Sequence, residues 1–188
     1  MKTLPIPAPS IFIIGLSSAG KSTLANLLIK RLRADGYPSI LLDGDHVRRV
    51  YGNSLGFDPD SRRIQTDRVL KLAQLTSEQG IIPVAAIIHP FEENRAKCRD
   101  TLPGYFEAHL RCDVDVCRSR DTKNVYPNDD GQAENVVGLN IEFEEPVNAD
   151  LVLDSAKTAP EDLADTIYRA IQPALSSASA TETLQAKA

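Results

Sequence analysis

Four residues of this chain combine types and spacings that could do chemistry: Lys21, Ser22, Asp43 and Asp45. The first two close a run, Gly15-Leu16-Ser17-Ser18-Ala19-Gly20-Lys21-Ser22-Thr23, that follows the phosphate-loop pattern GxxxxGK[ST]. Gly15 and Gly20 open backbone conformations closed to other residues, so successive N–H groups through Ser17, Ser18 and Ala19 to Thr23 can curl around phosphate oxygens. Lys21 can reach the β- and γ-phosphates and Ser22 can ligate Mg²⁺. The chemistry is the binding of a nucleoside triphosphate. Asp43-Gly44-Asp45 adds two carboxylates. In phosphoryl transfer one can orient or deprotonate an attacking hydroxyl and another can hold the metal. Their competing reading is a helix cap plus a solvated turn acid.

These residues need a scaffold, and the hydrophobic pattern supplies one. Ile11–Ile14 is an apolar run that reads as a buried strand leading into the loop, and Ser22–Leu32 reads as an amphipathic helix whose N-terminal dipole would face the phosphates. Ser39–Leu42 predicts a second strand that ends at the Asp pair, with a helix from Asp45. A longer helix runs from Pro59 and stops at Gly80. Ile81–Ile88 is apolar without alternation, as in a strand covered on both faces, and Pro83 argues that its start lies outside the ladder. A helix over Glu92–Thr101, a strand over Tyr105–Cys112, a helix capped by Asp113, a strand at Leu151–Leu153 and a helix over Pro160–Leu175 follow. Residues 122–148 have no clean period, and so long a loop in a compact domain is usually functional, often a lid. Alternating strands and helices predict an α/β fold: one domain with a parallel sheet, helices on both faces and a ligand site at the carboxyl ends of the strands. The expected limits are an extension over 1–9, the domain over 10–175 and a disordered tail over 176–188.

Composition narrows the function. A net charge of −5 speaks against a general nucleic-acid binder. No apolar run approaches the roughly 20 residues of a membrane span, and Met1–Pro9 is too short and Pro-rich for a signal peptide. Three cysteines without metal-site spacing suit a reducing cytoplasm.

Gly15–Thr23 together with Leu42-Asp43-Gly44-Asp45-His46-Val47-Arg48 resembles adenylylsulfate kinase (APS kinase), a P-loop kinase family. The likeness continues through Leu55-Gly56-Phe57, Arg62, Arg68, Pro90, Arg95, Arg99 and Arg120-Asp121-Thr122-Lys123. It then takes in Asn135-Val136-Val137-Gly138, Glu144-Glu145-Pro146 and Leu151-Val152-Leu153-Asp154. The resemblance implies transfer of the γ-phosphate of ATP, with Mg²⁺, to the 3′-hydroxyl of adenosine 5′-phosphosulfate (APS). It implies that Asp43, Asp45 and Lys21 act at the reaction centre, with Ser22 and Asp43 at the metal. Arg48, Arg62 and Arg68 would grip the acceptor's anionic end, with Phe57 against its base and Gln65 and Pro90 nearby. Arg120 and Lys123 would lie near ATP, with Lys123 at the foot of a mobile lid over 124–146. A homodimer is the implied assembly.

Set against these roles, Arg62 and Arg68 can be read as solvated helix charges and Phe57 as core. The chain also departs from the family's pattern. His46 stands where Asn is usual, and His89-Pro90-Phe91-Glu92 where Ser-Pro-Tyr-Arg is usual. Val136-Val137 replaces Phe-Thr, Gln65 replaces Asn, and Pro127-Asn128-Asp129-Asp130 replaces a basic lid segment. The expected function is APS phosphorylation. The alternatives are a kinase for another nucleotide-linked anion, such as a cytidine nucleotide, or an ATP-binding protein without turnover. A GTPase switch lacks its Asn-Lys-x-Asp sequence.

Overall fold

The computed structural model describes residues 7–127 and 133–185, with side chains as far as Ser176. Five strands form one parallel sheet in the order β2-β3-β1-β4-β5, where β1 is Ser10–Ile14, β2 Ser39–Asp43, β3 Ile82–Ile87, β4 Tyr105–Arg111 and β5 Leu151–Asp154. Six helices connect and cover them: α1 Lys21–Ala34, α2 Gly44–Val50, α3 Pro59–Ser77, α4 Glu92–Thr101, α5 Val114–Ser119 and α6 Pro160–Gln185.

Alternate residues of β1 feed two cores. Ile11 and Ile13 pack with Leu24, Leu28 and Leu32 of α1 and with Ile167 and Ile171 of α6. Phe12 and Ile14 pack on the other face with Val69 and Leu70 of α3 and Cys98 of α4. A strand buried on both sides must be apolar throughout, which is why β1 shows no alternation. The central strand delivers the phosphate loop, and the order of its neighbours places the ends of β2 and β3 on one side of the loop and those of β4 and β5 on the other.

Several boundaries differ from the expected ones for visible reasons. Pro83 lies inside β3, paired with Ile40, rather than before the ladder. Ile82 donates to Pro38 O, so the nitrogen of Pro83 faces the β1 side, where pairing starts only at Val84. The domain also begins earlier than residue 10: Ala8 is fully buried and its N–H and carbonyl both bond Ser77. At the other end α6 runs past Leu175 to Gln185, through the segment expected to be a disordered tail, because the Ser/Ala/Thr sequence after Pro173 holds no Gly or Pro to stop it. Within the expected lid, Val136, Val137 and Ile141 are buried, and a bridge joins Val137 to Ile141. The replaced lid segment Pro127–Asp130 lies, after Pro127, outside the described residues.

Gly15 is the joint between β1 and the loop. Its φ is +145°, and a Cβ there would stand 2.4 Å from the carbonyl oxygen of Leu110 in β4. Both the backbone conformation and the space exclude any side chain. Gly15→Ala is expected to lower unfolding free energy by about 3 kcal/mol, combining strain with overpacking. Urea denaturation followed by far-UV circular dichroism measures this; an unchanged midpoint would show that the β1–β4 spacing is softer than drawn.

Candidate active site

The phosphate loop ends in a helix start of unusual kind. Asp43, Asp58 and Asp113 cap α2, α3 and α5 with their side chains, whereas α1 starts at Gly20, in the left-handed region at φ 98°, with no side-chain cap. The first N–H groups of α1 are thus left for an anion. Lys21 is buried at 9% exposure, and its Nζ donates to Leu16 O at 2.5 Å. Burial pulls its pKa down to about 8, against the raising effect of Cys117, Asp43 and Asp45.

The Ser22 hydroxyl donates to Asp43 Oδ2 at 2.5 Å. The other oxygen of Asp43 accepts the N–H groups of Asp45 and His46, so one carboxylate both caps α2 and meets the phosphate loop. Burial pushes the Asp43 pKa up, but the Ser22 and backbone bonds outweigh it and hold the group below its ordinary value. Two hard oxygens, Ser22 Oγ and Asp43 Oδ2, lie side by side, and such oxygens are the donor type Mg²⁺ takes when phosphates and water complete its shell. Among the described residues no cluster of three or more His, Cys, Asp or Glu could hold a metal unaided. Asp45 extends from the first turn of α2, and Lys123 Nζ donates to its Oδ2 at 2.6 Å. That bond raises the Lys123 pKa.

On the β2 and β3 side, Arg48, Phe57 and Arg62 come together. The Arg48 guanidinium lies 4.4 Å and that of Arg62 5.8 Å from the centre of the Phe57 ring. Phe57 is 54% exposed, so it is a surface platform and not core. Arg48 is anchored on Leu55 O and Gly56 O, and Arg62 on Asn135 O. Burial lowers both pKa values, Arg62 to about 10, and each Arg is further opposed by a neighbouring one: Arg68 for Arg48, Arg48 for Arg62. Arg68 packs over Tyr51 and bonds Ser54 Oγ, one step outside the pair. Among the described residues Arg62 Nε, Arg68 Nη1 and Gln65 Oε1 are buried without a partner, while Gln65 Nε2 bonds Gly44 O. Two stranded guanidinium donors, Arg62 Nε and Arg68 Nη1, among three mutually opposed cations are the makings of an oxyanion site, while Gln65 Oε1, an acceptor, suits a hydroxyl or N–H donor.

On the β4 and β5 side a cavity of about 360 Å³ opens between Ala19, Gly20 and Thr23 of the loop, Arg120, and the turn Ser155–Pro160. Arg120 bonds Ser155 O across it, and Lys123 is absent from its lining. The β5–α6 turn was not singled out by motif, although its place after the last strand marks it as site-facing. Pro90 accepts the N–H of Glu144 and so holds the end of the long loop. Arg95, buried at 2%, does the same: it donates to His89 O, Glu144 O and Glu92 Oε2. The acid at position 92 is therefore the partner of a buried Arg. Val136 is packed in the core and does not cover Phe57. His46 is exposed, and His89 is buried at φ 57° with both ring nitrogens unpartnered among the described residues.

Lys21 makes the site pH-sensitive. Its folded pKa of about 8 is below the ordinary 10.5, so across that window the unfolded chain binds more protons and folding stability rises with pH. A polyanion seated in the loop restores the ammonium, so its binding takes up on the order of half a proton near pH 8. Calorimetry with ATP in two buffers of different ionisation enthalpy measures the uptake, and Lys21→Ala is expected to remove it.

The arrangement matches known proteins in both sequence and shape. The family model for adenylylsulphate kinase matches residues 8–154. An adenylyl-sulfate kinase from Bacillus velezensis is 38% identical over 155 residues, covering 81% of this chain and 79% of its own. Among solved structures, the Mycobacterium tuberculosis APS kinase in complex with AMPPNP and APS superposes with a TM-score of 0.83 at 26% identity, over 89% of this chain and 99% of that one. A shikimate kinase from Acinetobacter baumannii shares the fold alone, with a TM-score of 0.58 at 19% identity over 88% and 94% of the two chains. With its phosphate loop, carboxylate pair and arginine platform in the family's order, the chain belongs to the adenylylsulphate kinase family.

Proposed function

We propose that the chain transfers the γ-phosphate of ATP to the 3′-hydroxyl of adenosine 5′-phosphosulfate, giving 3′-phosphoadenosine 5′-phosphosulfate and ADP. Asp45 carries the reading. Its carboxylate stands between the phosphate loop and the arginine platform, is held by Lys123 at 2.6 Å and acts electrostatically on Lys21 and Arg48. In the reaction the acceptor oxygen attacks the γ-phosphorus, its proton passes to Asp45, and the bond to the β–γ bridging oxygen breaks. Lys21, Lys123 and the free N–H groups of α1 offset the charge spread over the transferring group. Arg48, Arg62 and Arg68 hold the phosphosulfate, Phe57 the base, and Gln65 and Pro90 line that side. Arg120, Thr23 and the cavity beside them take the nucleoside of ATP. Ser22 and Asp43 would hold Mg²⁺, which supplies charge neutralisation at the phosphates when bound.

The position of Val136 favours a second reading, a kinase for another 5′-anionic nucleotide. With Val136 in the core, the Phe57 ring keeps an open face and selects less sharply among bases. No helix among the described residues is long and apolar enough to cross a membrane, and the three cysteines are free and buried, which suits a cytoplasmic enzyme. A homodimer belongs to the same reading and rests on family membership.

A coupled assay for ADP release with ATP, Mg²⁺ and APS tests the proposal. Turnover is expected at micromolar APS, and Asp45→Ala is expected to lower kcat by about 10²- to 10⁴-fold. Activity with a different 5′-anionic nucleotide and none with APS would establish the second reading. No ADP from any acceptor would leave an ATP-binding protein without turnover.

A further inference from the structure

Asp121, just after α5, has no part in the chemistry described above, yet three strands of the site's wiring cross at its carboxylate. Its Oδ1 accepts the Ser18 hydroxyl at 3.3 Å and the Lys123 N–H at 2.9 Å, and its Oδ2 accepts the Tyr126 N–H at 2.9 Å. Each of those three residues then touches the centre of the site. Ser18 belongs to the phosphate loop and sits in the left-handed region at φ 58°. Lys123 reaches Asp45. Tyr126, with its ring buried, donates its hydroxyl to Ser17 O at 3.2 Å.

Two of these residues need outside support. The Lys123 and Asp45 side chains are 60% and 59% exposed, so packing does not aim the lysine. Its direction must come from its backbone, and Asp121 is what holds the Lys123 N–H. Ser18 is a non-glycine residue in a conformation that costs energy unless neighbours enforce it. The tie from its hydroxyl to Asp121 supplies that enforcement. Burial works against the ionised carboxyl, but the bonds from Tyr126, Lys123, Val125 and Ser18 hold the Asp121 pKa below its ordinary value, so it stays an acceptor at both oxygens.

We propose that Asp121 is a positioning residue that couples the phosphate loop to the long loop after α5, acting through Ser18 on nucleotide binding and through Lys123 on phosphoryl transfer. The proposal rests on the kinase reading above. Asparagine in its place fills the same space but turns one acceptor oxygen into an NH₂ group. Whichever way that amide is turned, a donor faces a backbone N–H: that of Tyr126 on one side, or that of Lys123 on the other, where the Ser18 hydroxyl must also reverse its bond.

The test is a double-mutant cycle with a binding measurement beside it. Asp121→Asn is expected to lower kcat tenfold or more, and less than twofold further when Lys123→Ala is already present, because its route through Lys123 is then gone. Equal losses in both backgrounds would overturn the proposal. Calorimetry with a non-hydrolysable ATP analogue is expected to show affinity reduced severalfold in Asp121→Asn, and unchanged affinity would overturn the route through Ser18. Hydrogen exchange on the unaltered protein covers a variant that fails to fold. The Lys123 and Tyr126 amides are expected to exchange at least tenfold more slowly than that of Asn124 between them, and equal rates would overturn the geometry. Neither of the last two measurements needs an acceptor. If the unaltered protein fails to phosphorylate APS, the proposed function falls while the role of Asp121 is still decided.

Discussion

The contact between Ser22 and Asp43 is the one on which the rest of the site depends. The two residues end strand-to-helix turns on β1 and β2, which are not neighbours in the sheet, because β3 runs between them. A side-chain bond of 2.5 Å across that gap demands that all three strands end at matching heights. The same carboxylate then caps α2, and the cap sets where Asp45 points and where Arg48 begins its reach toward Phe57. Phosphate loop, Asp45 and the arginine platform are thus placed by one residue with two oxygens. Phosphoryl transfer asks for little covalent chemistry and much positioning, so a scaffold that concentrates its alignment in a single bridge is suited to it.

Much of this was legible in the chain. Gly15, Gly20, Lys21 and Ser22 are legible because a phosphate cradle tolerates few residue types at those spacings, and the apolar run before them identifies the strand. The Asp43–Asp45 pair follows because a parallel sheet sends the end of every strand to one edge, whereas the arginines, which lie within α2 and α3, come only with the family resemblance. What was not legible turned on how the elements pack against one another. Whether Pro83 breaks a ladder depends on which neighbour its nitrogen faces, and that depends on strand order. Nothing local distinguishes Glu92 as the partner of a buried Arg from an acid in an anion site. The buried place of Val136 is settled by its packing with residues of other elements. The role of the turn from Ser155 to Pro160 is equally invisible locally, since its small residues and single Lys carry no pattern of their own.

Charge on this molecule is strongly divided. The chain carries −5 overall, yet Lys21, Lys123, Arg48, Arg62 and Arg68 gather along one edge of the sheet. Mutual repulsion among the arginines opposes burial of the platform, and a doubly charged ligand relieves it. A low-dielectric wall behind such a cluster focuses its field outward, which favours small polyanions at the site.

The fork of Arg95 has a consequence for how sequences of this kind can diverge. Its guanidinium is closed by two carbonyls and by Glu92, three residues earlier on α4. Position 92 is where the family's usual pattern carries a base beside this same Arg, and with the side chain at 92 being 40% exposed a base there can turn to solvent, away from a guanidinium that keeps only 2% exposure. The two carbonyls, of His89 and Glu144, hold Arg95 whatever stands at position 92, so the acid there changes how tightly the end of the long loop is anchored and leaves the anchor itself in place.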